Sequence, residues 1–437
     1  MWLVEAAGLR IVFDPLLGRD HHGGVFEVVP RRTIDARALR PDFVFVSHRH
    51  PDHFDVPSLA RLIAIDRESV IVTPDPLIAW AARELGARTV QVVPAGQKIA
   101  LDGVAVITTP SLAADEWGAM VATADGVVWN QVDTVFADAG QVRRVVAGCL
   151  AELGAEALAL ALVRWQPMLE VAAQLGQKTG FPYREYAALL AEVVATGARA
   201  VVPGAAGEAY TAGWSAMNQW VFPVGERRFL RDLAAMSPAT RGLPCRVGGR
   251  YRVRGGEVSF ETGGGAGIVE VTDAREPRAY APIELPPVRD PGLEDVDEGR
   301  MRAEVEAWVR GPLARGLAGV CRAGRFVLEV RFVAATDVFT LAVDGGEARV
   351  SRGFDDDWDG LNVIAGSQLW QVLQARRHWG DVLLAGALRA VSRAYEVADG
   401  RLRARPLGEI FLYHGLGYEA AVERAVRAAV QAWMDMS

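Results

Sequence analysis

The chain has 437 residues, 51% of them hydrophobic, and 47 basic against 54 acidic side chains give a net charge of −7, so it is long enough for two or three cored domains and lacks the positive charge of a nucleic-acid binder. No apolar run reaches the roughly 18 residues that span a bilayer, and Met1-Trp2-Leu3-Val4-Glu5 lacks the basic start of an export signal, so no membrane contact and a cytoplasmic location are expected. Cys149, Cys245 and Cys321 stand far apart, form no paired motif and suit a reducing compartment.

Short apolar runs at Arg10–Asp14, Phe43–Ser47, Val70–Thr73, Thr89–Val93, Val104–Thr109 and Val127–Asn130 predict strands. Helices are expected between them at Val56–Ile63, with Asp55 as cap and Pro57 in the first turn, and at Pro76–Leu85. The alternation continues with helices over Gln141–Leu153 and Tyr183–Thr196 and strands over Ala157–Val163 and Ala200–Val202, the pattern of an α/β sandwich. Trp165, Trp214 and Trp220 read either as core or as the lining of a substrate cleft.

Five prolines among charged residues between Arg275 and Arg300 resist helix and strand alike, which sets a linker over 273–300 between a catalytic domain, 1–272, and a C-terminal domain, 301–437. Beyond it a helix over Met301–Cys321, strands at Arg325–Val333, Val338–Val343 and Gly345–Arg352, and helices at Ser367–Arg377 and Glu419–Met436 predict a smaller α+β domain. Asp355, Asp356, Asp357 and Asp359 form either a cation site or a solvated turn. Arg377 and His378 form either an anion-binding pair for substrate or a basic helix end. His21, His22 and His414 read as isolated residues.

The chemistry concentrates in Ser47-His48-Arg49-His50-Pro51-Asp52-His53-Phe54-Asp55. Three of the chain's seven histidines and an aspartate fall within six positions, directly after the apolar run Phe43–Val46. Histidines two apart at a strand exit face one side, so His48 and His50 can share an ion, and the following turn can carry Asp52 and His53 to a second. Imidazole and carboxylate together suit Zn, Fe or Mn.

His48-Arg-His50-Pro-Asp52-His53 resembles the H-x-H-x-D-H signature of the metallo-β-lactamase fold superfamily. The resemblance covers about the first 250 residues and implies an αββα sandwich with a dinuclear site at its edge. Arg10-Ile-Val-Phe-Asp14-Pro15 looks like its second strand with an Asp-Pro turn, and Asp133 falls where the family carries a bridging aspartate. The C-terminal part weakly resembles sterol-carrier-protein-2-like domains.

Hydrolases of the superfamily add a fourth and a fifth histidine, but this chain has none between His53 and His378. Asp115 and Glu116 lie where the fourth is expected; the longer reach of glutamate favours Glu116, with Asp115 as the alternative. Ala205, in Pro203-Gly204-Ala205, stands where the late histidine would be. A carboxylate-rich centre favours iron over zinc or manganese, and the pattern is similar to the superfamily's diiron oxygenases of natural-product pathways. The resemblance therefore implies two metal ions: His48, His50 and Glu116 on one, Asp52 and His53 on the other, and Asp133 between them. The substrate would be a small molecule, free or on a carrier protein. No Cys/His set for a Rieske cluster is present, so an oxygenase needs a separate electron donor. A metal-dependent hydrolase of a phosphoester, amide or lactone, and a non-catalytic ligand-binding protein, are the alternatives.

Overall fold

The computed structural model describes residues 1–113, 116–167, 169, 180–205, 207–211, 215, 217–218, 220–221, 224–263, 267–270, 287–377, 379–405 and 407–436. Asp115, Trp214, His378 and residues 273–286 of the expected linker lie outside them. The chain divides into two compact units, Met1–Tyr280 with Val397–Arg401, and Ala281–Glu396 with Leu402–Ser437.

The first unit opens with the antiparallel pair β1 (Trp2–Ala6) and β2 (Leu9–Phe13). Three short strands follow, β3 (Asp20–His21), β4 (Phe26–Val28) and β5 (Arg32–Ile34), and then β6 (Phe43–Phe45), α1 (Val56–Ile65), β7 (Val70–Thr73), α2 (Pro76–Glu84) and β8 (Val90–Val92). Strands β2, β6, β7 and β8 run parallel, so the first sheet has the order β1-β2-β6-β7-β8. Helix α1 starts where expected: Asp55 accepts the Ser58 N–H and proline sits in the first turn.

The second sheet begins as a meander of β9 (Lys98–Leu101), β10 (Val104–Pro110), β11 (Trp117–Thr123) and β12 (Gly126–Asn130). It then turns parallel through α3 (Ala139–Leu153), β13 (Leu158–Arg164), α4 (Tyr183–Ala195), β14 (Ala200–Ala205), β15 (Glu208–Tyr210), α5 (Glu226–Met236) and β16 (Arg241–Gly242). β15 leaves this sheet to pair with β4, making a small sheet β15-β4-β3. The hairpin β17 (Arg250–Arg254) and β18 (Glu257–Glu261) and a last strand, β19 (Ile268–Glu270), complete the unit.

Strand parity sorts the core. Phe45 and Phe13 point inward and, with Val72 of their own sheet, pack against Val106, Trp117 and Ala119 of the facing sheet. Val44 and Val46, one residue to either side, point outward against Leu59, Leu62 and Ile63 of α1 and Ile78 and Ala82 of α2. Burying each such side chain stabilises by roughly 1.5–3 kcal/mol relative to exposure. Two sheets face to face with helices outside make the expected αββα sandwich.

The second unit is α+β. Helix α6 (Glu298–Trp308) starts at Glu298 rather than Met301, with Asp297 as its cap. The single helix expected to Cys321 is broken: Val309–Leu313 is a π turn, and α7 (Ala314–Val320) follows. Pro312 is the physical reason, since it has no N–H to donate and its ring crowds the preceding turn. Then come β20 (Ala323–Arg331), β21 (Thr336–Asp344), β22 (Glu347–Arg352), β23 (Gly360–Ala365), α8 (Gly366–Leu373), α9 (Trp379–Leu384) and β24 (Leu388–Ser392), in a sheet ordered β22-β21-β20-β23-β24. Helix α10 (Tyr418–Met436) is the last element. No helix among the described residues is long and apolar enough to cross a membrane.

Candidate metal centre

The site lies at the carboxyl ends of the parallel strands, where α/β sheets usually place ligands. β2 delivers Asp14 and β6 delivers Ser47 and His48 side by side, because Phe13 pairs with Phe45 and the Asp14 N–H donates to the Phe45 carbonyl at 2.9 Å. The motif then closes on itself: the His53 and Phe54 N–H groups both donate to the His50 carbonyl, at 2.9 and 2.7 Å. Arg49, between the two histidines, is drawn off to Asp75, the cap of α2, at 2.6 Å.

From the facing sheet, β12 leads into the turn Gln131–Thr134. Thr134 Oγ1 donates to the Gln131 carbonyl, and Val132 is held at φ +55°, a costly conformation for a β-branched residue. That turn presents Asp133. Glu116 directly precedes β11, is buried, and accepts a hydrogen bond from Ser111 Oγ at 2.9 Å. Ser111 Oγ in turn accepts the N–H groups of Ala113 and Val135, so it ties both loops together. Gly118 allows this approach: a Cβ there would lie 2.8 and 2.9 Å from the Asn130 and Gln131 carbonyl oxygens.

Two groups of side chains can each hold a metal ion. His48, His50 and Asp133 form one, Asp52, His53 and Asp133 the other, and Asp133 belongs to both. Within the first, His48 Nε2 and His50 Nδ1 lie 2.8 Å apart. Ser47 Oγ donates to Asp14 Oδ2 at 3.0 Å, so towards His48 Nδ1, also 3.0 Å away, it can only accept. This assigns the proton of His48 to Nδ1 and leaves the Nε2 lone pair facing the group. Burial pushes His48 down to about 4, with the nearby His53 charge adding to the effect; a neutral imidazole is the form that binds metal.

His53 is held at both nitrogens. Nδ1 donates to Asp14 Oδ2 at 3.1 Å, and Nε2 faces Asp52 and Asp133 at 2.9 and 3.1 Å. Burial opposes its charge, but the Asp133 and Asp14 carboxylates outweigh it and raise His53 well above the ordinary imidazole value. The same ring holds Asp52 and Asp133 below the usual carboxylate range against their own burial. His53 would have to give up its Nε2 proton to hold an ion in this group. Burial raises Glu116, partly offset by the Ser111 hydrogen bond. Glu116 lies within electrostatic range of Asp133, His53 and His50 but is in neither group. The donor set fits one or two transition ions, since imidazole and carboxylate donors converge with a second shell that fixes their orientation.

Asp14 and Ser47 are the residues the sequence reading leaves out of the site; the Asp14-Pro15 turn after a strand is the signal that marks the first. His21 and His22, expected to stand alone, instead pair with each other. In the second unit Arg377 donates to Gln368 Oε1 at 2.6 Å. In the aspartate turn Asp355 pairs with Arg325, and Asp359 accepts the Arg325 N–H and lies 3.8 Å from Arg405. Trp165 is buried against Phe229, a core residue.

Residues 1–140 match a family model described as "Beta-lactamase superfamily domain". The first unit has the metallo-β-lactamase superfamily fold. Over 96 residues the chain is 36% identical to a "UPF0173 metal-dependent hydrolase" of Opitutus terrae, which covers 22% of this chain and 36% of that relative's length. Among solved structures it is similar to CmlA, a diiron beta-hydroxylase from Streptomyces venezuelae, at 13% identity and a TM-score of 0.35, over 55% of this chain and 51% of that one. It is also similar to Sterol Carrier Protein 2 Like 2 from Aedes aegypti, at 15% identity and a TM-score of 0.18, over 28% of this chain and 97% of that one. Both donor groups lie within the stretch that the family model matches, between His48 and Asp133.

Proposed function

We propose that the protein is a dinuclear iron oxygenase that oxidises a small molecule, free or carrier-bound, with electrons from a separate donor. The observation that carries this reading is the buried Glu116 held by Ser111 beside the histidine motif, in a chain with no histidine between His53 and His378. Three imidazoles and three carboxylates form a hard donor set that accepts iron in both oxidation states. His48, His50 and Glu116 would hold one ion, Asp52 and His53 the other, and Asp133 both.

Bound iron would supply the reduction of dioxygen that oxidation of a C–H or N–H bond requires. The chain's own residues orient and protect the centre. Ser47 fixes the His48 tautomer, Asp14 anchors Ser47 and His53 together, and burial of His48 and Glu116 keeps bulk water from their donor atoms. Arg377 and His378 are the proposed contacts of an anionic substrate or carrier group.

Protein isolated from iron-replete cells is expected to contain about two iron ions per chain, to give a coupled diferric Mössbauer signal, and to consume oxygen when reduced with substrate. Stoichiometric zinc with anaerobic esterase or phosphodiesterase activity would instead establish the hydrolase, the reading favoured by the printed name of the Opitutus relative.

A further inference from the structure

Two arginines at the edge of the centre are held by carboxylates, and a third is not. Arg49, inside the motif, has Asp75 at 2.6 Å, and Arg164, whose backbone N–H donates to Gln131 in the turn before Asp133, has Glu192 at 3.1 Å. Arg32 is bonded to main chain alone: its Nη2 donates to the Leu16 carbonyl at 3.0 Å, and no carboxylate among the described residues pairs with it. Burial alone pushes its guanidinium down to about 10. A guanidinium carries five N–H donors in a planar fork, so most of them are unspent. Buried charges are as a rule paired, so the anion that balances this one is expected from outside the chain.

The loop that Arg32 holds is stitched to both ends of the motif. Leu16 lies two residues after Asp14, a span of at most about 7 Å. Asp14 Oδ2 is 3.0 Å from Ser47 Oγ and 3.1 Å from His53 Nδ1. The residue after Leu16 makes the second tie: the Leu17 N–H donates to Ser58 Oγ at 2.8 Å, and the Ser58 N–H donates to Asp55, the last residue of the motif, at 2.9 Å. Arg32 reaches this loop from β5, outside the motif. A cationic fork on the loop that positions His53 is placed for the anionic end of a molecule whose other end meets the ions.

We infer that Arg32 is the anion subsite of the metal centre, taking through its unspent N–H groups a carboxylate or phosphate on the substrate. The inference rests on the dinuclear reading above and narrows its substrate to one with an oxyanion within a small molecule's length of the reacting bond.

Isothermal titration of the full chain with inorganic phosphate and with acetate, at constant ionic strength, tests it in the metal-loaded protein and after chelation. Wild type should bind at least one of the two in both forms, and the tighter probe names the oxyanion. Arg32→Met removes a charge that has no partner, so its melting temperature should equal or exceed that of wild type and its metal content should not change, while the anion binds about tenfold or more weakly. Arg32→Lys keeps the charge without the fork and should bind several-fold more weakly; if Arg32→Met fails to fold, wild-type affinity in Arg32→Lys would overturn the inference. With cobalt(II) in the site the nuclear relaxation of the bound anion should be faster than with zinc, and equal relaxation would place the anion away from the centre and overturn the inference. No binding by wild type, or equal binding by wild type and Arg32→Met, would overturn it and leave the dinuclear reading standing. A chain that holds no more than one ion yet binds the anion through Arg32 would overturn the dinuclear reading and leave the subsite.

Discussion

Both units bury polar groups, and they do so to opposite effect. In the second unit Arg393 is fully buried, yet its donors are spent: Nε donates to the Trp358 carbonyl at 2.5 Å, another nitrogen donates to the Asp356 carbonyl, and the guanidinium lies 4.1 Å over the Trp358 ring. Asp337 is likewise taken up by Arg302, at 2.7 and 2.8 Å, and by Arg352. At the metal centre of the first unit the polar groups instead point acceptor atoms at a common place, and a proton on His53 bridges Asp14, Asp52 and Asp133. Complete pairing marks polar groups that hold a fold. Convergence of lone pairs marks those that hold a cation.

This contrast predicts different failures. His48→Ala and His50→Ala should each remove most of the bound metal, by elemental analysis, while circular dichroism stays that of a folded chain. Retained metal would remove those histidines from the ligand set. Arg393→Ala should do the reverse: about 3 kcal/mol of stability lost from the second unit, seen by calorimetry or hydrogen exchange at β23 and β24, because the buried Trp358 carbonyl and the part-buried Asp356 carbonyl lose donors and Trp358 loses its cation. Metal content should not change, and an unaltered unfolding profile would deny Arg393 its structural role.

The smallest effect is a pH slope in the metal-free protein. His48 is lowered in the folded state, so the unfolded chain takes up its proton first. Stability should therefore fall as pH drops from about 6.5, the ordinary imidazole value, to about 4, where folded His48 also titrates. His53 has the opposite sign: its contribution is present below the ordinary value and is lost as pH rises through its own raised one. Denaturant titrations of wild type and His48→Asn across pH 4–6.5 should show a flatter slope in the variant. Equal slopes would mean that His48 is not the group responsible.

How legible each part is from sequence follows from how local its cause is. The motif is readable because four donors are contiguous and follow an apolar strand. Asp14 is not, since its role depends on Ser47 and His53, 33 and 39 residues away. The His21–His22 pair escapes for the same reason, because β15 brings Glu208 from the far end of the unit. β11 and β23 are absent from the expected elements because both are largely buried on two faces, which erases the alternation that marks a half-buried strand. By contrast β17 and β18, also absent, carry a readable hairpin signal: Gly255-Gly256, both at positive φ, between alternating runs.

The lack of room for a Cβ at Gly118 bears on how closely the backbones that carry the two carboxylates of the second sheet can approach. Glu116 stands two residues before that glycine, and Asp133 two residues after Gln131, one of the carbonyls a Cβ there would meet. A side chain at position 118 would push the main chain that carries a ligand candidate for the first ion away from the turn that carries the aspartate common to both, so a residue without a side chain sets how closely those two backbones approach.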